Sequence, residues 1–133
     1  MGMKSKGEIM KKKILVIDDE RLIVKSLEKL LGRSGFDVVG VNTGLDAIMV
    51  AEETAIDLIV SDIKMPWSNG IDTIKELFDT LKSKNKNRPP VIFITGYADK
   101  KLEKQAKELN PVAYLHKPFD NQNLVKTIEN TLK

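Results

Sequence analysis

The sequence predicts an α/β fold, an open, doubly wound parallel sheet of five strands carrying five helices. Three observations lead there. Short apolar runs alternate with amphipathic segments from residue 13 onward, with no internal repeat. Several of the runs are continuous and β-branched rather than alternating, as strands covered on both faces should be. The chain has 133 residues, room for one domain with a real core and too few for two.

The elements follow in order along the chain. Ile14-Leu15-Val16-Ile17 is the first strand. Ile23, Leu27, Leu30 and Leu31 then recur at helical spacing, and Gly35 makes a natural stop. Asp37-Val38-Val39-Gly40-Val41 is the second strand. Thr43 leads the stripe Leu45, Ile48 and Met49, with Asp46 three residues on in a capping-box-like arrangement. Leu58-Ile59-Val60 is the third strand, and Ile71, Ile74, Phe78 and Leu81, with Leu77 beside them, mark the third helix. Val91-Ile92-Phe93-Ile94 follows as the fourth strand. The fourth helix is thinner, with only Leu102, Ala106 and Leu109 among many lysines and glutamates. Val112-Ala113-Tyr114-Leu115 is the short fifth strand, and Leu124, Val125, Ile128 and Leu132 line the fifth helix. Five consecutive βα units imply a parallel sheet with helices on both faces. Residues 1–12 show no apolar period and are expected to form a flexible leader, the first nine being vector-derived or upstream sequence; the domain is expected to span 13–133.

Composition narrows the chemistry. There is no cysteine, which excludes a disulfide framework, zinc ribbons, iron–sulfur ligation and thiol nucleophiles. His116 is the only histidine, so multi-histidine metal sites are excluded too. No apolar run approaches the ~20 residues that span a bilayer, and no segment resembles a signal peptide; a cytoplasmic location without membrane insertion is expected. The net charge of +3 is misleading as a nucleic-acid signature. Residues 1–13 contribute +4 of it, leaving 17 basic against 18 acidic groups in residues 14–133.

In doubly wound sheets, ligands bind beyond the carboxyl ends of the strands. Asp18 and Asp19 fall at the end of the first strand, Asp62 at the third, Thr95 at the fourth and Lys117 at the fifth. Three carboxylates held together repel: at 4 Å and an effective dielectric near 20, one pair costs roughly 4 kcal/mol. Either their pKa values rise or a cation fills the gap. An oxygen-only cluster without His or Cys favours a hard ion such as Mg²⁺. Cation, lysine and hydroxyl together suit a phosphoryl group, which a carboxylate can accept as an acyl phosphate.

These residues resemble the receiver domain of bacterial-type response regulators. The resemblance runs from Lys12 to Leu132 and rests on Val16-Ile17-Asp18-Asp19-Glu20, Asp62-Ile63-Lys64-Met65-Pro66 with Gly70, Ile94-Thr95-Gly96 and Lys117-Pro118-Phe119, in this order. It implies a flavodoxin-like strand order, 2-1-3-4-5, and a phosphoacceptor at Asp62. It further implies Mg²⁺ held by Asp19, Asp62 and the backbone carbonyl of Lys64, with Asp18 acting through water. Lys117 and Thr95 would contact phosphoryl oxygens, and Tyr114 would be the aromatic that swings inward when Thr95 moves. The Lys117–Pro118 bond would be cis. Lys64, Gly96 and Tyr97 would neighbour the site and modulate it. The donor would be a histidine kinase or histidine phosphotransfer protein. A downstream protein or output domain would read the surface of helix four, strand five and helix five, and catalysis would be limited to the domain's own phosphorylation and dephosphorylation.

Other readings compete at several positions. Asp18-Asp19 could simply cap the first helix. His116 is expected to face solvent or pack on a helix, lacking the helical setting of a phosphodonor. Trp67 is expected to pack locally or contact a partner. The basic segment Lys82 to Arg88 is read as a solvated loop without interleaved aromatics, and direct nucleic-acid binding is not expected. Gly32-Arg33-Ser34-Gly35 follows a helix and is read as its stop, not a nucleotide loop. The alternative whole-chain reading is a small aspartyl-nucleophile phosphatase or phosphotransferase of haloacid-dehalogenase type. That class needs an Asp-x-Asp pattern on its first strand, which Asp18-Asp19-Glu20 does not supply. A receiver fold that has lost phosphorylation is disfavoured because all five site residues are present.

Overall fold

The computed structural model describes residues 11–66 and 68–133. Five strands form the main sheet: β1 (Lys13–Ile17), β2 (Asp37–Val41), β3 (Leu58–Asp62), β4 (Val91–Thr95) and β5 (Ala113–His116). All neighbouring pairs are parallel and the spatial order is β2-β1-β3-β4-β5, the flavodoxin-like order. Five helices connect and close them: α1 (Arg21–Arg33), α2 (Gly44–Glu53), α3 (Gly70–Ser83), α4 (Lys100–Lys107) and α5 (Asn121–Thr131).

The strands' continuous apolar character has a direct cause. Alternate side chains enter two separate cores, one on each face of the sheet. Ile14 and Val16 of β1, with Ile92 and Ile94 of β4, meet Val24, Leu27 and Leu31 of α1 and Leu124 and Ile128 of α5. Leu15 and Ile17, with Val91 and Phe93, meet the other layer: Ala47 and Ala51 of α2, Ile71 to Leu81 of α3, and Ala106 of α4. Gly35 ends α1 with φ +96°, a left-handed conformation that glycine adopts without a Cβ penalty.

Some elements depart from the sequence expectations. α2 buries Ala47 and Ala51, whereas Leu45 and Met49 are 70% and 50% exposed. The helix is apolar nearly all round, so the stripe of large side chains did not identify the packed face; the small alanines do, because they let it lie close. Thr43 caps it as expected, accepting from Asp46 N–H at 3.1 Å. β5 is shifted one residue later than the apolar run, with Val112 exposed and His116 inside the strand. α4 stops at Lys107, before Leu109, and only Ala106 is fully buried on it. Lys64–Met65 and Ser68–Asn69 pair as a small antiparallel hairpin that no periodicity announced. Residues 1–10 of the expected leader, and Trp67, lie outside the described residues; Lys11 and Lys12 are exposed and precede β1.

The basic segment is tied down at the opposite end of the sheet from the acidic cluster. Lys84 pairs with Glu52 at 3.1 Å and Lys86 donates to the Glu52 carbonyl at the end of α2. Arg88 lies over the Phe78 ring at 4.0 Å and donates to the Leu109 carbonyl at 3.1 Å. These three cations serve local packing, and the loop is shorter than expected, because Lys82 and Ser83 still belong to α3 and Lys84 caps it.

Candidate functional site

Parallel pairing aligns the strands' carboxyl ends, so residues just past those ends meet. Asp18 follows β1, Asp62 closes β3, Thr95 closes β4 and Lys117 follows β5. Asp18 is fully buried, Thr95 is 2% and Asp62 3% exposed, and Asp19 is half-buried. Lys117 Nζ joins the carboxylates: 2.9 Å to Asp18 Oδ2, 3.6 Å to Asp62 Oδ2 and 3.7 Å to Glu20 Oε1. A cavity of about 650 Å³ opens above them, lined by Asp19, Glu20, Asp62, Lys64, Met65, Pro66, Gly96, Tyr97 and Lys117.

Each buried carboxylate is held by the backbone of its own turn. Asp18 Oδ1 accepts from Glu20 N–H at 2.9 Å, and Asp62 Oδ1 accepts from Ile63 N–H at 2.9 Å. Asp62 therefore has one oxygen committed to the backbone and the other, Oδ2, turned toward Lys117 and the cavity. The main chain behind it is fixed as well. Ser61 Oγ donates to the Asp62 carbonyl at 2.9 Å, and Gly70 N–H donates to the Ile63 carbonyl. A Cβ at Gly70 would sit 1.9 Å from the Asp62 carbonyl oxygen, so only glycine permits this approach of α3.

The electrostatics follow from burial. Desolvation first, and the charge of Asp18 next, push the Asp62 carboxyl up to about 6. Burial likewise raises Asp18, against the opposing effects of the Glu20 amide and Lys117. Burial also works against the Lys117 ammonium, but the hydrogen bond and charge of Asp18, with Asp62 and Glu20, outweigh it and leave its pKa above the ordinary lysine value. Carboxylate oxygens of Asp18, Asp19 and Asp62 lie within 4.8 Å of one another. Three oxygen donors, two of them on the cavity wall, with a formal charge of −2 once Lys117 is included, fit a hard divalent cation; this cluster could hold a metal.

The helix-cap reading of Asp18-Asp19 does not describe the structure. Glu20 is the N-cap of α1 and makes no side-chain cap bond. Thr95 faces its own turn, its Oγ1 accepting from Tyr97 N–H at 3.1 Å. Lys64 lies at the cavity rim with its Nζ 4.5 Å above the Tyr97 ring, and Gly96 lies beside Lys117. Tyr114 is apart from the cavity lining, half-buried on β5 and edge-on to exposed His116 at 5.4 Å. Burial, then Glu103 and Asp99, raise its phenol. The Lys117–Pro118 bond is cis.

Glu20, Ser61 and Asn42 complete the site without having been singled out. Glu20 stood in the motif, and its charge beside Asp18-Asp19 was the available signal. Ser61 and Asn42 act through backbone groups and carried no signal in the sequence.

A doubly wound sheet with three acids and a lysine at its carboxyl edge defines a class of phosphoryl- and cation-handling domains. The family model for the response regulator receiver domain matches residues 14–129, and the chain belongs to that family. Among its relatives, the transcriptional regulatory protein PdtaR of Mycobacterium tuberculosis is 32% identical over 119 residues, 89% of this chain and 55% of that protein. The transcriptional regulatory protein CpxR of Escherichia coli is 36% identical over 121 residues, 91% of this chain and 49% of that protein. The chain thus spans about half the length of these curated relatives. A response regulator receiver domain protein from Clostridium thermocellum superposes with TM-score 0.79 at 30% identity, covering 91% of this chain and 94% of that one. The chain is a receiver domain of two-component signalling, and the phosphatase alternative is not favoured. Receiver domains of this family work with histidine kinases and output domains. No helix among the described residues is long and apolar enough to cross a membrane.

Proposed function

We propose that this chain receives a phosphoryl group on Asp62 from a histidine kinase or histidine phosphotransfer protein. One observation carries the reading: Asp62 is buried with Oδ1 spent on Ile63 N–H, which leaves Oδ2 facing both Lys117 and the open cavity. In the transfer, Asp62 Oδ2 forms the new O–P bond as the P–N bond of the donor phosphohistidine breaks, and the imidazole leaves with its electron pair. A carboxylate is the required form of Asp62. Mg²⁺ is the ion we assign to Asp18, Asp19, Asp62 and the Lys64 carbonyl, where it would supply the positive charge that three ionised carboxylates need. Lys117 would meet phosphoryl oxygens, as would Thr95 once its hydroxyl leaves the Tyr97 amide.

The same reading gives the switch. A phosphoryl group that engages Thr95 breaks its turn contact, and the surface of α4, β5 and α5, including Tyr114, responds. α4 suits such a role because it is short and thinly anchored. Lys64, Gly96 and Tyr97, at the cavity rim, would set how readily water reaches the acyl phosphate. The domain would act in the cytoplasm as a signalling element, its only catalysis being its own phosphorylation and dephosphorylation.

Incubation with a small acyl-phosphate donor and Mg²⁺, followed by intact mass spectrometry, tests this. A single phosphoryl adduct is expected on the wild type and none on Asp62→Asn. No adduct on the wild type, or an undiminished one on the variant, refutes it.

A further inference from the structure

The turn that carries Asp18 and Asp19 is held from a direction the phosphoryl chemistry does not use. β1 and β2 pair in register up to Ile17 and Val41, and one rung beyond, Asp18 N–H donates to the Val41 carbonyl at 3.2 Å. In a parallel ladder the next donor to the Asp18 carbonyl is the amide two residues past Val41. That is Thr43, where the chain has already turned away to cap α2. The side-chain amide of Asn42 takes its place, Nδ2 donating to the Asp18 carbonyl at 2.9 Å. Among the described residues no backbone amide reaches that oxygen.

The carbonyl so held belongs to the peptide unit joining Asp18 to Asp19. Fixing it fixes the plane from which the Asp19 backbone departs. Asp19 has little else to orient it: among the described residues its carboxylate makes no hydrogen bond or ion pair, whereas Asp18 and Asp62 are each held by a backbone amide and by Lys117. We propose that Asn42 is a positioning residue for cation binding, a side-chain rung that extends the β1–β2 ladder and sets the direction of the Asp19 carboxylate. The inference rests on the reading of the acidic cluster as a cation site. It concerns a residue that itself touches neither cation nor phosphoryl group.

Groups that orient metal ligands from behind change affinity by roughly ten- to a hundred-fold when removed. The test is a MgCl₂ titration of the wild type, Asn42→Leu and Asn42→Gln followed by backbone amide NMR, whose dispersion reports folding in the same samples. Leucine matches asparagine in size and lacks the donor; glutamine keeps the amide. The expected result is Mg²⁺ binding about ten-fold weaker in Asn42→Leu, with most of the affinity retained in Asn42→Gln. If Asn42→Leu does not fold, Asn42→Ala replaces it under the same criterion. A folded Leu or Ala variant that binds Mg²⁺ like the wild type, even if less stable to urea, overturns the proposal by reducing Asn42 to a structural residue. Equal losses in Leu and Gln variants also overturn it. A wild type that binds no Mg²⁺ refutes the cation reading itself, a distinct failure that removes the basis for Asn42 as well.

Discussion

The acidic cluster should make the metal-free domain more stable when its central charge is deleted. Asp62 titrates at about 6 against an ordinary 3.8, with burial the main cause and the charge of Asp18 the next. The folded state therefore holds the Asp62 proton more tightly than the unfolded chain does. Stability from this residue is fully present below pH 4, declines as pH rises between about 4 and 6, and is lost above that window. At 1.36 kcal/mol per unit, the raised pKa corresponds to a loss of about 3 kcal/mol by pH 7.5. In Asp62→Asn the side chain does not titrate and its Oδ1 can keep the Ile63 N–H, but it gives up the attraction of Lys117. The loss of about 3 kcal/mol is already net of that attraction, because the raised pKa includes it, so the variant should be about 3 kcal/mol more stable at pH 7.5 in EDTA. For a domain of this size the midpoint then rises by about 12 °C. Urea denaturation followed by circular dichroism, at pH 4.0 and 7.5, separates the contributions. The two proteins should converge at pH 4.0, where Asp62 is neutral, and Mg²⁺ should stabilise the wild type at pH 7.5 and close the gap. A variant less stable than wild type at pH 7.5 in EDTA, or a difference independent of pH, would refute the reasoning.

Other expectations follow from single contacts. Lys117→Met leaves Asp18 and Asp62 buried without their shared cation and should cost about 3–5 kcal/mol in urea unfolding at neutral pH, with partial recovery in Mg²⁺. Gly70→Ala forces a methyl to within 1.9 Å of the Asp62 carbonyl; a loss of more than about 3 kcal/mol is expected, and near-wild-type stability would mean that α3 can retreat. Asp99 caps α4 by accepting from Lys101 and Leu102 N–H at 3.0 and 3.1 Å. Asp99→Ala should remove about 1 kcal/mol from that helix and speed amide exchange in Lys100–Lys107 while leaving the β1 amides unchanged.

The fold was legible because parallel sheets covered on both faces leave a plain trace. Ile14 to Ile17 and Val91 to Ile94 are unbroken apolar runs since odd and even residues enter different cores. Where packing depends on size rather than hydrophobicity, the trace failed. α2 turns Ala47 and Ala51 inward and leaves Leu45 and Met49 outside, and no periodicity distinguishes those faces in a helix apolar all round. The hairpin at Lys64–Met65 and Ser68–Asn69 is set by local backbone pairing in four residues, too few for any period to show.

The site divides in the same way, and the division has a physical origin. Asp18, Asp19, Asp62, Thr95 and Lys117 could be found because their chemistry demands particular functional groups and the topology brings strand ends together. Glu20, Ser61 and Asn42 serve by meeting a charge or a main-chain atom, which many residue types can do at many positions. What makes Asn42 matter is the register Ile17 to Val41, followed by the departure of the chain at Thr43. Only there does a short amide side chain stand where the next rung of the ladder is missing. A residue of this kind gains its function from a neighbouring strand's geometry, so it becomes visible when the strands are paired and not before. On the proposed reading the acids at the edge would supply the charge for binding, and the direction in which one of them points would depend on an uncharged amide one strand away.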